Sequence, residues 1–198
     1  MVPPMLRTCC LLLCAAAACG RSDTYVVGGF VADTTQPVVI LDPIRSAISG
    51  EVTPTDSSGQ PAGSKVSVVV LSTAADLCAK LKANRSYFRA PTEAFVALVL
   101  YAPLDKSGTF YVGRTTDIGT NAEVITTAGP TDGGTATPLD LFAVTGSSVS
   151  LSEFALREPG NAKGGFAVVF QDVGSVQREL YGRFKSNTCD GFDTALLP

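Results

Sequence analysis

Six cysteines and no histidine limit the chemistry open to this 198-residue chain. Cys9, Cys10, Cys14 and Cys19 crowd the N-terminus, whereas Cys78 and Cys189 stand alone in the rest of the sequence. A thiol works as nucleophile or metal ligand only as the thiolate, which forms near neutral pH beside a cation, a metal or a second cysteine. Neither Cys78 nor Cys189 lies in a CxxC pair or near a histidine, so metal binding and redox catalysis are not expected. The missing imidazole removes the commonest general base, the Ser-His-Asp triad and the Cys-His pair. No Gly-x-Ser-x-Gly or Ser-x-x-Lys motif supplies a serine nucleophile instead.

Carboxylates and glycines offer little more. Gly129-Pro130-Thr131-Asp132-Gly133-Gly134 lacks the lysine and the strand-to-helix setting of a phosphate-binding loop, and it reads as a surface loop. Asp190 and Asp193 would need Asp56 or Asp132 to make a calcium site, and no stretch has the ligand spacing of a calcium loop. Glu153 and Glu179, both in predicted strands, are the candidates for a glycosidase-type carboxylate pair, since such partners meet in space rather than in sequence. Solvated positions on polar strand faces account for them more simply. No catalytic residue, metal ligand or cofactor is therefore expected, and the Asn84-Arg85-Ser86 sequon reads as accidental if the N-terminal signal is a bacterial one.

Residues 1–19, MVPPMLRTCCLLLCAAAAC, combine one positive charge at Arg7 with an apolar run that leads through four alanines to Cys19. That is the pattern of an export signal. The run is well short of the ~20 apolar residues that span a bilayer as a helix. It resembles a bacterial lipoprotein signal, in which the last cysteine becomes the acylated first residue of the mature protein. Ala17 and Ala18 meet the small-residue requirement, although Ala16 stands where such signals usually carry leucine. The competing reading is an ordinary signal cut at Ala16-x-Ala18 or after Gly20, which leaves a soluble protein. Cys14 follows Leu13, too large a residue for the position before a cut, and Cys9 and Cys10 act as small hydrophobes within the run. The expected organisation is a signal over 1–18, a short tether over 19–23 and a single β-rich domain over 24–198.

Removing 1–18 leaves Cys19, Cys78 and Cys189, an odd set for an exported chain. With Cys19 carrying lipid, one disulfide remains, between Cys78 and Cys189. The alternative is two separate buried thiols. Cys78 belongs to the one helix expected, with Thr73 as cap, Asp76 three residues later, Lys80 and Lys82 near its C-terminal end and Asn84 as its stop. Ala74, Leu77, Cys78 and Leu81 share one helical face, so the thiol points into the protein, away from Lys80 and Lys82.

The rest of the pattern is two-fold, as strands require. Val66, Val68 and Val70 alternate with Lys65, Ser67 and Val69, reading as a strand with one buried face. Residues 94–101 are apolar on both faces and read as a central strand. Asp105-Lys106-Ser107-Gly108 is expected to turn that strand into a hairpin with 109–114. Phe166, Val168 and Phe170 lead through Asp172-Val173-Gly174 into a return strand, with Val176, Leu180, Gly182 and Phe184 on one face. Gln177, Glu179, Tyr181, Arg183 and Lys185 occupy its other face. Shorter strands are expected at 25–31, 38–41, 47–53, 123–127, 139–145 and 148–154. Regular strands with Gly and Pro punctuation predict an all-β antiparallel sandwich or barrel with one short helix.

Leu77-Cys78-Ala79-Lys80-Leu81-Lys82-Ala83, Gly165-Phe166-Ala167-Val168-Val169-Phe170, Tyr181-Gly182-Arg183-Phe184 and Cys189-Asp190 together resemble a group of small uncharacterised bacterial lipoproteins. That group combines a lipobox, a helix bearing a cysteine and a closing hairpin that ends in a second cysteine. The likeness covers about a third of the chain. Its motifs are structural, so it implies no catalytic residues.

Charge narrows the partners. The formal charge of -3 becomes -4 when Arg7 is lost with the signal, and the basic residues are scattered, which argues against nucleic acid. No basic amphipathic helix is present, so membrane contact would rest on the lipid at Cys19. The expectation is a non-enzymatic interaction or structural module in a bacterial cell envelope, anchored to a membrane and able to meet an envelope protein, its small-molecule ligand unknown. The second reading is a lipocalin-like carrier of an apolar ligand. Gly28-Gly29-Phe30 resembles the opening of such barrels, although their tryptophan has no counterpart here. Tyr87, Phe88, Tyr101 and Tyr111 would line its pocket, or else pack in the core. A carboxylate-dependent hydrolase comes third.

Overall fold

Two-residue periodicity dominates the computed structural model, which describes residues 23–29, 41–53, 63–84, 87–88, 92–104, 106–127, 141–155, 157, 159–171 and 176–190. The strands are β1 (Tyr25–Val27), β2 (Ser46–Val52), β3 (Val66–Ser72), β4 (Phe95–Pro103), β5 (Gly108–Tyr111), β6 (Asn121–Thr127), β7 (Leu141–Phe142), β8 (Ser148–Phe154), β9 (Asn161–Gln171) and β10 (Gln177–Thr188). Among the described residues one helix, α1 (Leu77–Ala83), follows β3. Hydrogen-bonded neighbours run β5-β8-β9-β10-β2-β3-β4-β6-β7, with β1 paired to β10 beyond the end of β2. All pairings are antiparallel except the short one between β10 and β2.

The path does not close on itself. Ala143 makes only an isolated bridge to Phe170, so the two halves face each other as a sandwich rather than as a barrel. Val69, Leu71, Leu98, Leu100, Ala102 and Val124 from one half meet Val149, Leu151, Phe166, Val168, Phe170, Leu180 and Phe184 from the other. A second core lies on the opposite face of β3 and β4, where Val66, Val68, Val70, Ala97 and Val99 pack under Leu77, Leu81, Tyr87 and Phe88. All seven residues of β3 are therefore buried. Alternation with Lys65, Ser67 and Val69 points to one buried face, that of Val66, Val68 and Val70, which lies under α1; the opposite half of the sandwich covers the Val69 and Leu71 face.

Three local expectations are also corrected. β4 and β5 do not form a hairpin, because β3 and β6 occupy both edges of β4 and the chain crosses after Pro103 to pair β5 with β8. Thr73 does not cap α1. Its hydroxyl accepts the Val96 N–H at 2.9 Å and its own N–H donates to the Val96 carbonyl at 3.0 Å, tying the chain to β4. The helix starts later, after a left-handed Asp76, and Ser46 of β2 caps it from outside by accepting the Leu77 N–H at 3.1 Å. Val176 is half exposed at 48%, since it precedes the first residue of β10. Asn84 does stop the helix, donating its N–H to the Lys80 carbonyl at 2.8 Å. The strand expected over 38–41 lies mostly outside the described residues, with Leu41 described as buried and unpaired in any strand.

Candidate functional site

Cys78 and Cys189 come together, with their sulfur atoms 2.05 Å apart and Cα atoms 5.7 Å apart. The bond ties α1 to the end of β10, where the Cys189 N–H also donates to the Ser49 carbonyl of β2 at 2.7 Å. Lys80 turns away from this sulfur pair to Glu93, whose carboxylate also accepts the Tyr87 hydroxyl at 2.6 Å. The Lys80 hydrogen bond, then the Tyr87 one, hold the Glu93 carboxyl below its ordinary value. Burial, reinforced by Glu93, pushes the Tyr87 hydroxyl well above its own. Tyr87 stacks on Phe95 at 5.5 Å, and Phe88 meets both rings edge-on. This cluster is core beneath α1, not a pocket. Tyr101 is likewise buried, donating to Glu123 at 2.6 Å.

Glu153 and Glu179 are not brought together. Glu153 stands opposite Lys163 and Lys163 opposite Lys185, whereas Glu179 lies six positions from Lys185 along β10, or ~20 Å. Among the described residues no three His, Cys, Asp or Glu side chains gather as metal ligands. Cys19, Asp56, Asp132 and Asp193 lie outside the described residues.

The interior of the sandwich is occupied by Phe166, Phe170, Phe184, Leu98, Leu100 and Leu180. A groove of about 850 Å³ lies instead on the outer surface, across β1, β10, β9, β8 and β5. Strand register lays its side chains out in rows. The central row reads Tyr25, Arg183, Gly165, Ser150, Thr109. On one side, two residues along each strand, come Val27, Tyr181, Ala167, Ser148 and Tyr111, with Tyr181 48% and Tyr111 37% exposed. On the other side Glu153, Lys163 and Lys185 follow one another, and Asp23 closes the line. An aromatic margin, a small hydroxylated floor and a charged margin thus share one face.

Local contacts hold this face in order. Two lysines directly opposite each other repel, and each turns outward to an acid: Lys163 to Glu153 at 2.8 Å and Lys185 to Asp23 at 3.7 Å. Arg183, exposed between them and Tyr25, forms no ion pair with any described residue. The Thr109 and Ser150 hydroxyls share a hydrogen bond at 2.9 Å. β1 is fastened beside β10 by Thr24, whose hydroxyl donates to the Lys185 carbonyl and accepts the Lys185 N–H, each at 3.0 Å. Gly182 makes that approach sterically feasible, since a Cβ there would stand 2.1 Å from the Tyr25 carbonyl oxygen.

Arg183 and Lys185 are legible in the sequence as polar-face residues, but their neighbours across the sheet are not. The period-two hydroxyls Ser148, Ser150 and Ser152 are the signal that β8 has a polar outer face. Comparison of the chain with protein-family models, curated proteins and solved structures gives no match.

Proposed function

We propose that this protein is a lipid-anchored, non-enzymatic binding module of a bacterial cell envelope, meeting its partner through the outer face of β1, β10, β9, β8 and β5. The observation that carries the reading is the groove of about 850 Å³ on that face, with its side chains sorted by row. A patterned concave surface held by internal ion pairs is ready to bind without rearranging, which lowers the cost of association. The packed aromatic interior favours this reading over a carrier, which needs an enclosed apolar cavity. The wide separation of Glu153 and Glu179 likewise weighs against the hydrolase reading, because paired carboxyls act within ~10 Å of each other.

The anchor reading rests on the N-terminal sequence and its likeness to lipoprotein signals, and the Cys78–Cys189 bond leaves Cys19 as the odd cysteine. Asp23 at the groove margin lies four positions beyond Cys19, a reach of ~13 Å when extended. A protein acylated at Cys19 therefore holds its groove close to the bilayer surface. Intact-mass analysis of protein extracted from its own membranes tests the anchor. Acylated Cys19 with two hydrogens missing for one disulfide is the expected result, and an unmodified N-terminus would remove the anchor. A photo-crosslinker at Thr109 tests the binding face, which should capture a partner that the same crosslinker at Lys65, away from the groove, does not.

A further inference from the structure

We propose that the groove binds a carboxylated oligosaccharide, with Arg183 holding the carboxylate. This rests on the reading of the outer face as the binding surface and assigns its ligand. Three cations converge where β9 and β10 cross the groove: Arg183 and Lys185 are same-face neighbours on β10, and Lys163 lies directly opposite Lys185. Two acids, Glu153 and Asp23, offset the lysines, so among the described residues of this cluster one positive charge remains, on Arg183. A guanidinium is a planar fork of donors that matches a carboxylate in two parallel hydrogen bonds. Single anionic groups on the ligand therefore complete the charge balance of this cluster.

The other lining residues fit a sugar. Tyr25 stands across the strand pair from Arg183 and offers an aromatic surface with a polar tip, suited to a ring that has apolar C–H faces and hydroxyl edges. Ser150 and Thr109 continue the row with hydroxyls that both donate and accept, as a polyol requires. Gly165, between Arg183 and Ser150, leaves the floor open for close approach. The row crosses five strands, four spacings of ~4.8 Å, so the trough is ~19 Å long and takes several linked rings. A lipid headgroup would use only the cationic cluster. Its acyl chains need an unbroken apolar stripe, whereas the row of Val27, Tyr181, Ala167 and Tyr111 is interrupted by Ser148 and the central row carries Ser150 and Thr109.

The test uses the mature protein in detergent micelles and isothermal titration with tetragalacturonate, its fully methyl-esterified form, and glycerol phosphate as a headgroup probe. The acid should bind at least tenfold more tightly than the ester, with an affinity that falls as salt rises. Arg183→Gln should abolish that preference with the thermal midpoint unchanged, because the side chain is exposed. Thr109→Val combined with Ser150→Ala should weaken acid and ester alike. Equal binding of acid and ester, binding of neither, or displacement of the acid by equimolar glycerol phosphate would each overturn the proposal. If Arg183→Gln fails to fold, the acid-to-ester ratio of the native protein decides. Failure with the sugars alongside crosslinking at Thr109 to a protein rejects the ligand and keeps the binding face; failure of both rejects the face as well.

Discussion

Reducing the Cys78–Cys189 bond should cost this protein about 4 to 5 kcal/mol of stability, almost all of it through the unfolded chain. The bond joins residues 111 apart. A crosslink over a loop of that length removes about 16 cal/mol/K of entropy from the unfolded ensemble in the chain-entropy model, or about 4.8 kcal/mol at 25 °C. Little is lost from the native side, because the end of β10 stays paired with β2 and the Cys189 N–H keeps the Ser49 carbonyl. Comparing oxidised and reduced protein of the same sequence avoids the cavity that a cysteine substitution would leave. Urea unfolding with and without reductant, at equal protein concentration, gives the difference from the two midpoints and slopes. A loss below about 1 kcal/mol would refute the entropic account. A full loss accompanied by altered amide shifts throughout α1 would also refute it, since the effect would then lie in the folded state.

Two further perturbations test the packing. Glu93 is held below its ordinary value of 4.5, so its share of stability is present above that pH and is lost as pH falls through the depressed folded value. Tyr87 has the opposite sign: its folded value lies above 10.0, so stability is lost as pH rises past 10.0. Thermal midpoints against pH should therefore show a shallower acid limb in Glu93→Gln and a shallower alkaline limb in Tyr87→Phe; unchanged limbs would show that the Lys80–Glu93–Tyr87 contacts do not couple to folding. Gly182→Ala should cost about 1–3 kcal/mol and free β1, because the new Cβ meets the Tyr25 carbonyl at 2.1 Å. Faster hydrogen exchange at the Lys185 N–H, which Thr24 otherwise accepts, reports the release. Unchanged protection there would mean that β1 accommodates the methyl group.

The proposed function draws on both ends of the chain. Lipidation at Cys19 would hold β1 near the bilayer, and β1 is the strand that forms the Asp23 and Tyr25 side of the groove. The disulfide fixes the far end of β10, the strand that supplies Arg183 and Lys185. In the proposed reading, binding surface and tether meet on the pair of β1 and β10, and the disulfide holds the other end of β10, beside β2.

The sequence by itself determined the all-β class, the closing hairpin of β9 and β10, the position of the helix and which faces of β10 are polar. Each rests on local information: two-residue alternation through Leu180, Gly182 and Phe184, helical spacing through Leu77 and Leu81, and turn-forming residue types in Asp172-Val173-Gly174, which lie outside the described residues. Only the tertiary structure decided the partners. β5 left β4 for β8 because β3 and β6 already filled both edges of β4, and no residue in 105–108 encodes that competition. Thr73 became a link to Val96 while Ser46, 31 residues before Leu77, capped the helix. The groove is the clearest case. Tyr25, Arg183, Gly165, Ser150 and Thr109 lie on five strands, and they form one row only because strand register, a relation between distant segments, places them side by side.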